Sequence, residues 1–312
     1  MARFTTDGAP YYNYRLNRNG KLKWFGKQEK AYSTDRLARI IDRLISRWAD
    51  EPWFVYYAPF APHTPRQPAA RHRDRLTDLP PHRPPSYLGS LKGKPRWLAK
   101  ERGSVWAIKG EPANTDRRRI RQLQTLLAVD EAVAALSDRI EALGLTENTL
   151  VVFTSDNGQA WLEHWLRFKN YPYEEAIRVP LVVRYPKRVH VPRRVEELVQ
   201  PIDFYPTFAE LAGVAGQPGL GRSLLPFLEG REVDWRDDIL LEHFSGAGID
   251  PSIGVRTKRW KLIETDARKG GVTPELYDLE NDPYEQHNLA AAPEHADRVE
   301  RLRERARELA GQ

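Results

Sequence analysis

Apolar and polar positions along this chain follow two different periods, and each period predicts a different element. Leu37, Ile40, Ile41, Leu44, Ile45 and Trp48 recur at steps of three and four behind Ser33 and Thr34, which predicts an amphipathic helix with a hydroxyl cap. Leu126, Val129, Val133, Leu136, Ile140 and Leu143 repeat that period, and Gly144 is placed to stop it. Short unbroken apolar runs predict buried strands instead, at Trp53 to Tyr57, Leu150 to Phe153 and Leu181 to Val183. Ile253-Gly254-Val255-Arg256 and Trp260-Lys261-Leu262-Ile263 flank a basic turn and predict a hairpin, which the run Glu275 to Leu279 extends. A helix opening at Pro201-Ile202-Asp203 runs to Leu211, and a charged amphipathic helix covers Glu294 to Leu309. Near the front, Asn19-Gly20 between short strand-like runs predicts a tight hairpin turn.

From Thr64 to about Asp116 the pattern lapses. Proline, arginine and lysine dominate, and the segment reads as a long irregular excursion, a lid or an insertion. The helix that stops at Gly144 leads directly into the strand 150–153, an α/β connection. The expected organisation is an α/β domain over 1–235 and a smaller C-terminal subdomain over 236–312, built of an antiparallel sheet plus a helix, with the seam near Arg231 to Asp238. No internal repeat is evident.

Composition then narrows the class. With 312 residues, 40% hydrophobic and 29% charged, the chain is globular in type and long enough for a sizeable core. No run of 18 apolar residues exists, so no membrane span is expected, and Met1-Ala2-Arg3-Phe4 begins no signal peptide. Cysteine is absent, which excludes disulfides, thiolate metal sites and a thiol nucleophile in this stretch. The formal charge of +6, dense at Arg117-Arg118-Arg119 and Arg193-Arg194, suits an anionic ligand. No nucleic-acid-binding signature accompanies it, so nucleic acid is not an expected partner.

The candidate chemistry gathers behind the strand 150–153, at Thr154-Ser155-Asp156-Asn157-Gly158. Asp156 and Asn157 put two hard oxygen donors side by side, the chemistry of a divalent cation site, and Gly158 frees the backbone to turn. An ordinary Asx turn has the same residues. His63 follows the predicted strand 53–57 in a proline-stiffened loop. If both strands are parallel members of one sheet, His63 and Asp156 meet at one edge, whereas a lone loop histidine is otherwise surface. His164 and Lys169 lie close behind Asp156, where a cation and a hydrogen-bond donor could hold an anion; a solvent-facing lysine is the plainer alternative.

The order of these pieces resembles the sulfatase family of the alkaline-phosphatase-like superfamily. The resemblance rests on Tyr56-Tyr57-Ala58-Pro59-Phe60-Ala61-Pro62-His63, Asp130-Glu131-Ala132-Val133, Asn148 through Gly158, Lys169, Pro172-Tyr173-Glu174-Glu175 and Arg178-Val179-Pro180. Asp203 to Gly213 and Glu275 through Pro283 extend it over nearly the whole chain. It implies an alkaline-phosphatase-like α/β fold, a mixed sheet flanked by helices, and hydrolysis of sulfate esters of a sugar or aryl alcohol. A calcium or magnesium ion and a formylglycine nucleophile come with that activity. Carried over residue by residue, Asp156 and Asn157 are metal ligands. Lys169 neutralises a sulfate oxygen, and His63 binds sulfate or assists proton transfer at the leaving group. His164 is a possible substrate-binding residue whose role stays open, because Leu162 stands where related members carry glycine. Phe168 likewise replaces a glycine before the lysine. The family also implies an exported protein with a sulfated small molecule or glycan as partner.

The front departs from the pattern. The family carries its Asp-Asp metal pair and its Cys- or Ser-x-Pro-x-Arg nucleophile motif ahead of every piece matched here; this sequence has no cysteine and no serine followed by that pattern, and Thr64-Pro65-Arg66 is the nearest echo. The expectation is therefore an N-terminally truncated sulfatase domain, weak in metal and inactive as it stands. Two other readings are a non-catalytic binder gripping sulfated or anionic glycans with the basic excursion Arg66 to Arg119, and a phosphoesterase or phosphonate hydrolase of the same superfamily. The last would need a two-metal site that the histidines here do not supply.

Overall fold

The computed structural model describes residues 2–5, 11–214, 219, 221–244, 250–267 and 271–311. In chain order the elements are β1 (Ala2–Thr5), β2 (Tyr14–Arg18), β3 (Lys21–Phe25), α1 (Ser33–Arg47), α2 (Arg96–Trp106) and α3 (Ala113–Ala142). They continue with β4 (Val151–Thr154), β5 (Ala160–Trp161), β6 (Arg167–Phe168), α4 (Glu174–Ile177), β7 (Leu181–Arg184), α5 (Phe204–Leu211) and α6 (Leu225–Glu229). The strands β8 (Asp238–His243), β9 (Ser252–Thr257), β10 (Trp260–Ala267) and β11 (Gly271–Asp278) precede α7 (Ala296–Ala310). The chain forms two compact units, one of residues 1–82 and 112–149, the other of 83–111 and 150–312.

In the first unit β1, β2 and β3 form an antiparallel sheet. The β2–β3 turn is made by Asn19 and Gly20, both at positive φ (52° and 84°), the mirror-image turn that suits strand twist and that this dipeptide predicts. The helix α1 packs on α3. Arg139 Nε reaches Asp42 Oδ1 at 2.6 Å, and Arg71 spans from both oxygens of Asp35 to Glu131. Ser33 and Thr34 do not cap α1 as expected; both are buried within its first turn, and the Ser33 amide donates to Tyr11 O at 3.0 Å. The core joins Tyr11, Tyr12 and Tyr32 to Ala61, Ala69, Ala128 and Val129.

Two expectations fail here for one reason. Trp53 to Tyr57 joins no ladder among the described residues; burial alternates along it, with Phe54 and Tyr56 70% and 83% exposed. Strand β4 forms in the second unit and pairs with β7 in antiparallel register, Val152 opposite Val183, and no parallel ladder occurs among the described residues. A β-rich sequence run specifies extension; a ladder also needs a neighbour, and the run does not name one. The excursion is also more ordered than its composition suggests, because it contains α2 and the first turns of α3, which starts at Ala113 rather than near Leu126.

The second unit is built on the antiparallel sheet β11-β10-β9-β8. Leu262 pairs with Val255 on one side and Leu276 on the other, and these three fully buried side chains receive Val299, Leu302 and Ala306 of α7. Each such aliphatic burial contributes about 1.5 to 3 kcal/mol. The opposite sheet residues Ile263 and Tyr277 join Leu98 of α2, Ala160, Leu166, Tyr171 and Tyr173 in a second core, with Trp97 stacked on Tyr171 at 5.6 Å. The region around the candidate site is thus pinned from one side by the C-terminal sheet.

Candidate functional site

Asp156 and Asn157 are neighbours in sequence and Lys169 stands twelve positions beyond Asn157, and the fold brings the three together at the end of β4. Lys169 Nζ donates to Asn157 Oδ1 at 2.9 Å and lies 3.9 Å from Asp156 Oδ2. Asp156 Oδ1 accepts from the Asn157 backbone amide at 2.9 Å, and Asn157 Nδ2 donates to Gly158 O at 2.8 Å. The Asp156 side chain is 81% exposed and that of Lys169 35% exposed, so the cluster is open to ligands. Two hard oxygens thus face one positive charge. That donor set suits a hard divalent ion, although two protein oxygens are well short of the six to eight that calcium takes.

Gly158 is required here for closeness rather than for turning. It does not have a positive φ; a Cβ on it would stand 2.1 Å from Glu175 O, and its amide donates to Ala176 O at 2.8 Å. The Asp156 loop is therefore docked on α4. The Lys169 side is set by strained backbone. Leu162, His164, Trp165, Phe168 and Asn170 all have φ between 51° and 80°. Leu162 and Phe168, the two residues standing where related sequences carry glycine, keep a glycine-like backbone at 80° and 73°. Each non-glycine residue in that region costs on the order of 1 to 2 kcal/mol, so surrounding contacts must hold it. For Leu162 those contacts are Val105 and Trp165 and complete burial, with its carbonyl accepting from Leu88 N at 2.9 Å.

His164 sits elsewhere. It is 3% exposed, its ring stacked on Tyr173 at 4.4 Å and its Nε2 3.7 Å from Glu175 Oε1, which also accepts from Ser86 Oγ at 3.1 Å. Below it lies a buried charged hub that sequence reasoning missed. Lys261, wholly buried in β10, reaches Glu285 Oε1 at 2.5 Å, Glu174 Oε1 at 2.9 Å and Pro172 O at 2.9 Å. Arg256 joins Glu174 at 3.3 Å, and Lys94 Nζ donates to Tyr277 Oη at 2.6 Å and to the Glu285 carbonyl. Glu275 accepts from the hydroxyls of Tyr173, at 2.6 Å, and Tyr277. Burial pulls the Glu174 carboxyl up, but Lys261 and Arg256 outweigh it and hold the group down at about 2. Burial wins at Glu285, pushed up to about 7 against the pull of Lys261. The missed signal was a lysine inside the otherwise apolar run Trp260 to Ile263 at the start of β10.

His164, Glu175 and Glu285 each bring one ligand-capable atom within 4.8 Å of the others, a spacing compatible with a metal. The ammonium groups of Lys94 and Lys261 already stand against Glu285. A divalent ion beside them would meet like charge at low dielectric, so this group is read as a charge-balanced support and not as the metal site.

His63 belongs to the first unit. Its loop is fixed as proline content suggested: Tyr11 Oη donates to His63 O at 2.7 Å and Tyr32 Oη to Gln67 O at 3.1 Å. The exposed imidazole lies over Phe60 at 4.9 Å, with Nδ1 2.9 Å from Thr64 O.

Known proteins resemble this chain along most of its length. The sulfatase family model matches residues 3–214, and a second, for the N-sulphoglucosamine sulphohydrolase C-terminal region, matches 162–312. The N-acetylglucosamine-6-sulfatase of Bos taurus is 30% identical over 90% of this chain and 56% of its own length. A putative extracellular sulfatase Sulf-1 homolog of Caenorhabditis elegans is 33% identical over 75% of this chain and 35% of its own length. The chain thus spans roughly a third to a little over half of these relatives. A solved protein in complex with its substrate, D-glucosamine-2-N,6-O-disulfate, superposes with a TM-score of 0.83 at 23% identity, covering 98% of this chain and 74% of that one. That likeness bears on the fold, which is of the α/β, alkaline-phosphatase-like class the resemblance implied, with its C-terminal antiparallel sheet and helix. A divalent metal is general to the family, and no helix among the described residues is long and apolar enough to cross a membrane. With one family model matching over two thirds of the sequence, this chain belongs to the sulfatase family.

Proposed function

We propose that this chain carries part of the metal- and sulfate-binding machinery of a hydrolase acting on sulfate esters of amino sugars. The observation that carries the reading is the convergence of Asp156, Asn157 and Lys169 within 3.9 Å at an exposed strand end. Asp156 and Asn157 would hold a calcium or magnesium ion, which when bound draws charge from the sulfate oxygens. Lys169 would face a sulfate oxygen and neutralise charge that builds there as the S–O bond breaks. His63, rigidly mounted and exposed, is assigned to sulfate binding or to protonation of the leaving oxygen. His164, a candidate substrate contact by resemblance, is instead assigned to holding Glu175 and so α4, on which the Asp156 loop rests; its burial supports that role.

The amino-sugar substrate is inferred from the N-acetylglucosamine-6-sulfatase relative and the glucosamine disulfate complex, and an exported location from the extracellular relative. No stretch here supplies a formylglycine, so hydrolysis of an aryl sulfate by this chain alone should stay undetectable. The test is calcium titration by terbium luminescence and its displacement. Binding near or weaker than about 10⁻³ M is expected, and Asp156→Ala should abolish it. An unchanged titration in Asp156→Ala, or turnover of an aryl sulfate by the parent chain, would overturn the assignment.

A further inference from the structure

The hairpin β2–β3 and the start of α1 enclose a cleft of about 530 Å³ that the proposed chemistry does not use. Its wall carries Lys23, Lys30, Arg36 and Arg39 together with Trp24 and Phe25, and no aspartate or glutamate lines it. The size falls within the range of small-molecule sites, about 300 to 1,000 Å³.

The charge is uncompensated for a structural reason. The carboxylates of α1 are Asp35 and Asp42, and both are committed to cations outside the cleft, Asp35 to Arg71 through both oxygens at 2.8 Å and Asp42 to Arg139 at 2.6 Å. Among the described residues, none of the four lining cations forms an ion pair. Two of them are nonetheless held in place. Arg39 Nη2 donates to Lys30 O at 3.1 Å. The Arg36 guanidinium lies 4.9 Å from the centre of the Phe25 ring, and its Nε is buried without an acceptor. Phe25 is in turn stacked on the buried Tyr14 at 5.4 Å, which fixes the platform beneath Arg36. A buried guanidinium N–H lacking an acceptor is costly; the remainder of the Arg36 side chain is only half-buried and lines the cleft, and that is the part an anion would meet. Trp24, 57% exposed, offers a flat apolar face at the same cleft.

We infer that this cleft is a binding site for an anionic saccharide unit, its sulfate or carboxylate groups taken by Arg36, Arg39, Lys23 and Lys30 and a ring face laid on Trp24. The anionic character follows from the cleft itself; the choice of a sugar over another anion rests on the sulfated-sugar reading above. The site lies wholly within the first unit and shares no residue with the Asp156 cluster.

The test titrates the full-length chain with a trisulfated heparin disaccharide by calorimetry, in parent and Lys169→Ala backgrounds. Saturable binding that persists in Lys169→Ala is expected. Arg36→Gln/Arg39→Gln should weaken it by about tenfold or more, and Trp24→Ala by several-fold. Should the arginine pair prove needed for folding, Lys23→Gln/Lys30→Gln on the rim gives the same reading and should weaken binding about three- to tenfold. Unchanged affinity in a folded arginine or lysine variant would overturn the site. Binding lost in Lys169→Ala alone would place the sugar at the Asp156 cluster and also overturn it, while leaving the proposed function standing. Equal competition by a single-stranded oligonucleotide of matched charge would overturn the saccharide assignment.

Discussion

The Asp156 cluster and the Lys261 hub use the same ingredients, carboxylates gathered round a lysine, at opposite ends of the solvent scale. Asp156 is 81% exposed and touches Lys169 only at 3.9 Å, whereas Lys261 and Glu285 are fully buried at 2.5 Å, with further partners on each side. Proximity of acidic groups does not by itself identify a ligand site. The hub contains the only His/acid group of metal-like spacing among the described residues, yet its space is filled with ammonium groups. The open cluster has fewer donors and room for an incoming ion. What joins them is α4: Glu174 is gripped by the hub, while Glu175 and Ala176 carry Gly158 through their carbonyls. One region provides rigidity and the other accessibility.

The sharpest break of this contrast is Lys261→Ala. Removing the ammonium leaves Glu174 and Glu285 as buried, poorly compensated acids, and breaking such a pair costs about 3 to 5 kcal/mol. Chemical denaturation should show that loss, and a change below about 1 kcal/mol would mean the hub is not a support. A smaller effect concerns pH. Glu285 is raised in the folded state, to about 7, so the folded chain holds a proton there that an unfolded chain gives up near the ordinary carboxylate value. Its contribution is fully present below that ordinary value and is lost as pH rises to about 7. Glu174, held down at about 2, acts oppositely: its contribution is present above the ordinary carboxylate value and lost as pH falls towards 2. Stability should therefore decline by about 2 kcal/mol between pH 5 and 7, and Glu285→Gln should flatten that slope. A parent and a variant with parallel profiles would refute the raised Glu285.

Much of this was legible in the sequence, for identifiable reasons. Asn19-Gly20, Gly144 and the periodic faces of α1 and α7 are local signals, and the local structure follows them. Asp156, Asn157 and Lys169 could be named because their motif is compact in sequence. The hub could not, since it joins Lys94, Glu174, Lys261 and Glu285 across nearly two hundred positions, and only the fold shows which isolated charges meet. The run 53–57 has the composition of a strand yet joins no ladder among the described residues, because a neighbour is not encoded within it. Gly158 was right for a different reason, a backbone approach from α4 that no local pattern reveals.

The smallest effect tests the open side of the comparison. If Lys169 is there to meet a ligand, it adds little to folding. Among the described residues its one hydrogen bond, to Asn157, is part-buried and its ammonium meets Asp156 only at 3.9 Å, and ion pairs that reach solvent contribute about 0 to 1 kcal/mol. Lys169→Met should then leave the denaturation midpoint within about 0.5 kcal/mol of the parent, because the aliphatic stem is kept and no charge is left buried. The same variant should alter calcium affinity in an informative direction. With the ammonium gone from Asn157 Oδ1 and Asp156 Oδ2, like-charge repulsion of the incoming ion falls, and terbium-detected calcium binding should tighten by a few-fold. Weaker binding, or a stability loss comparable to that of Lys261→Ala, would show that Lys169 is a structural strut and that the two regions differ in exposure only.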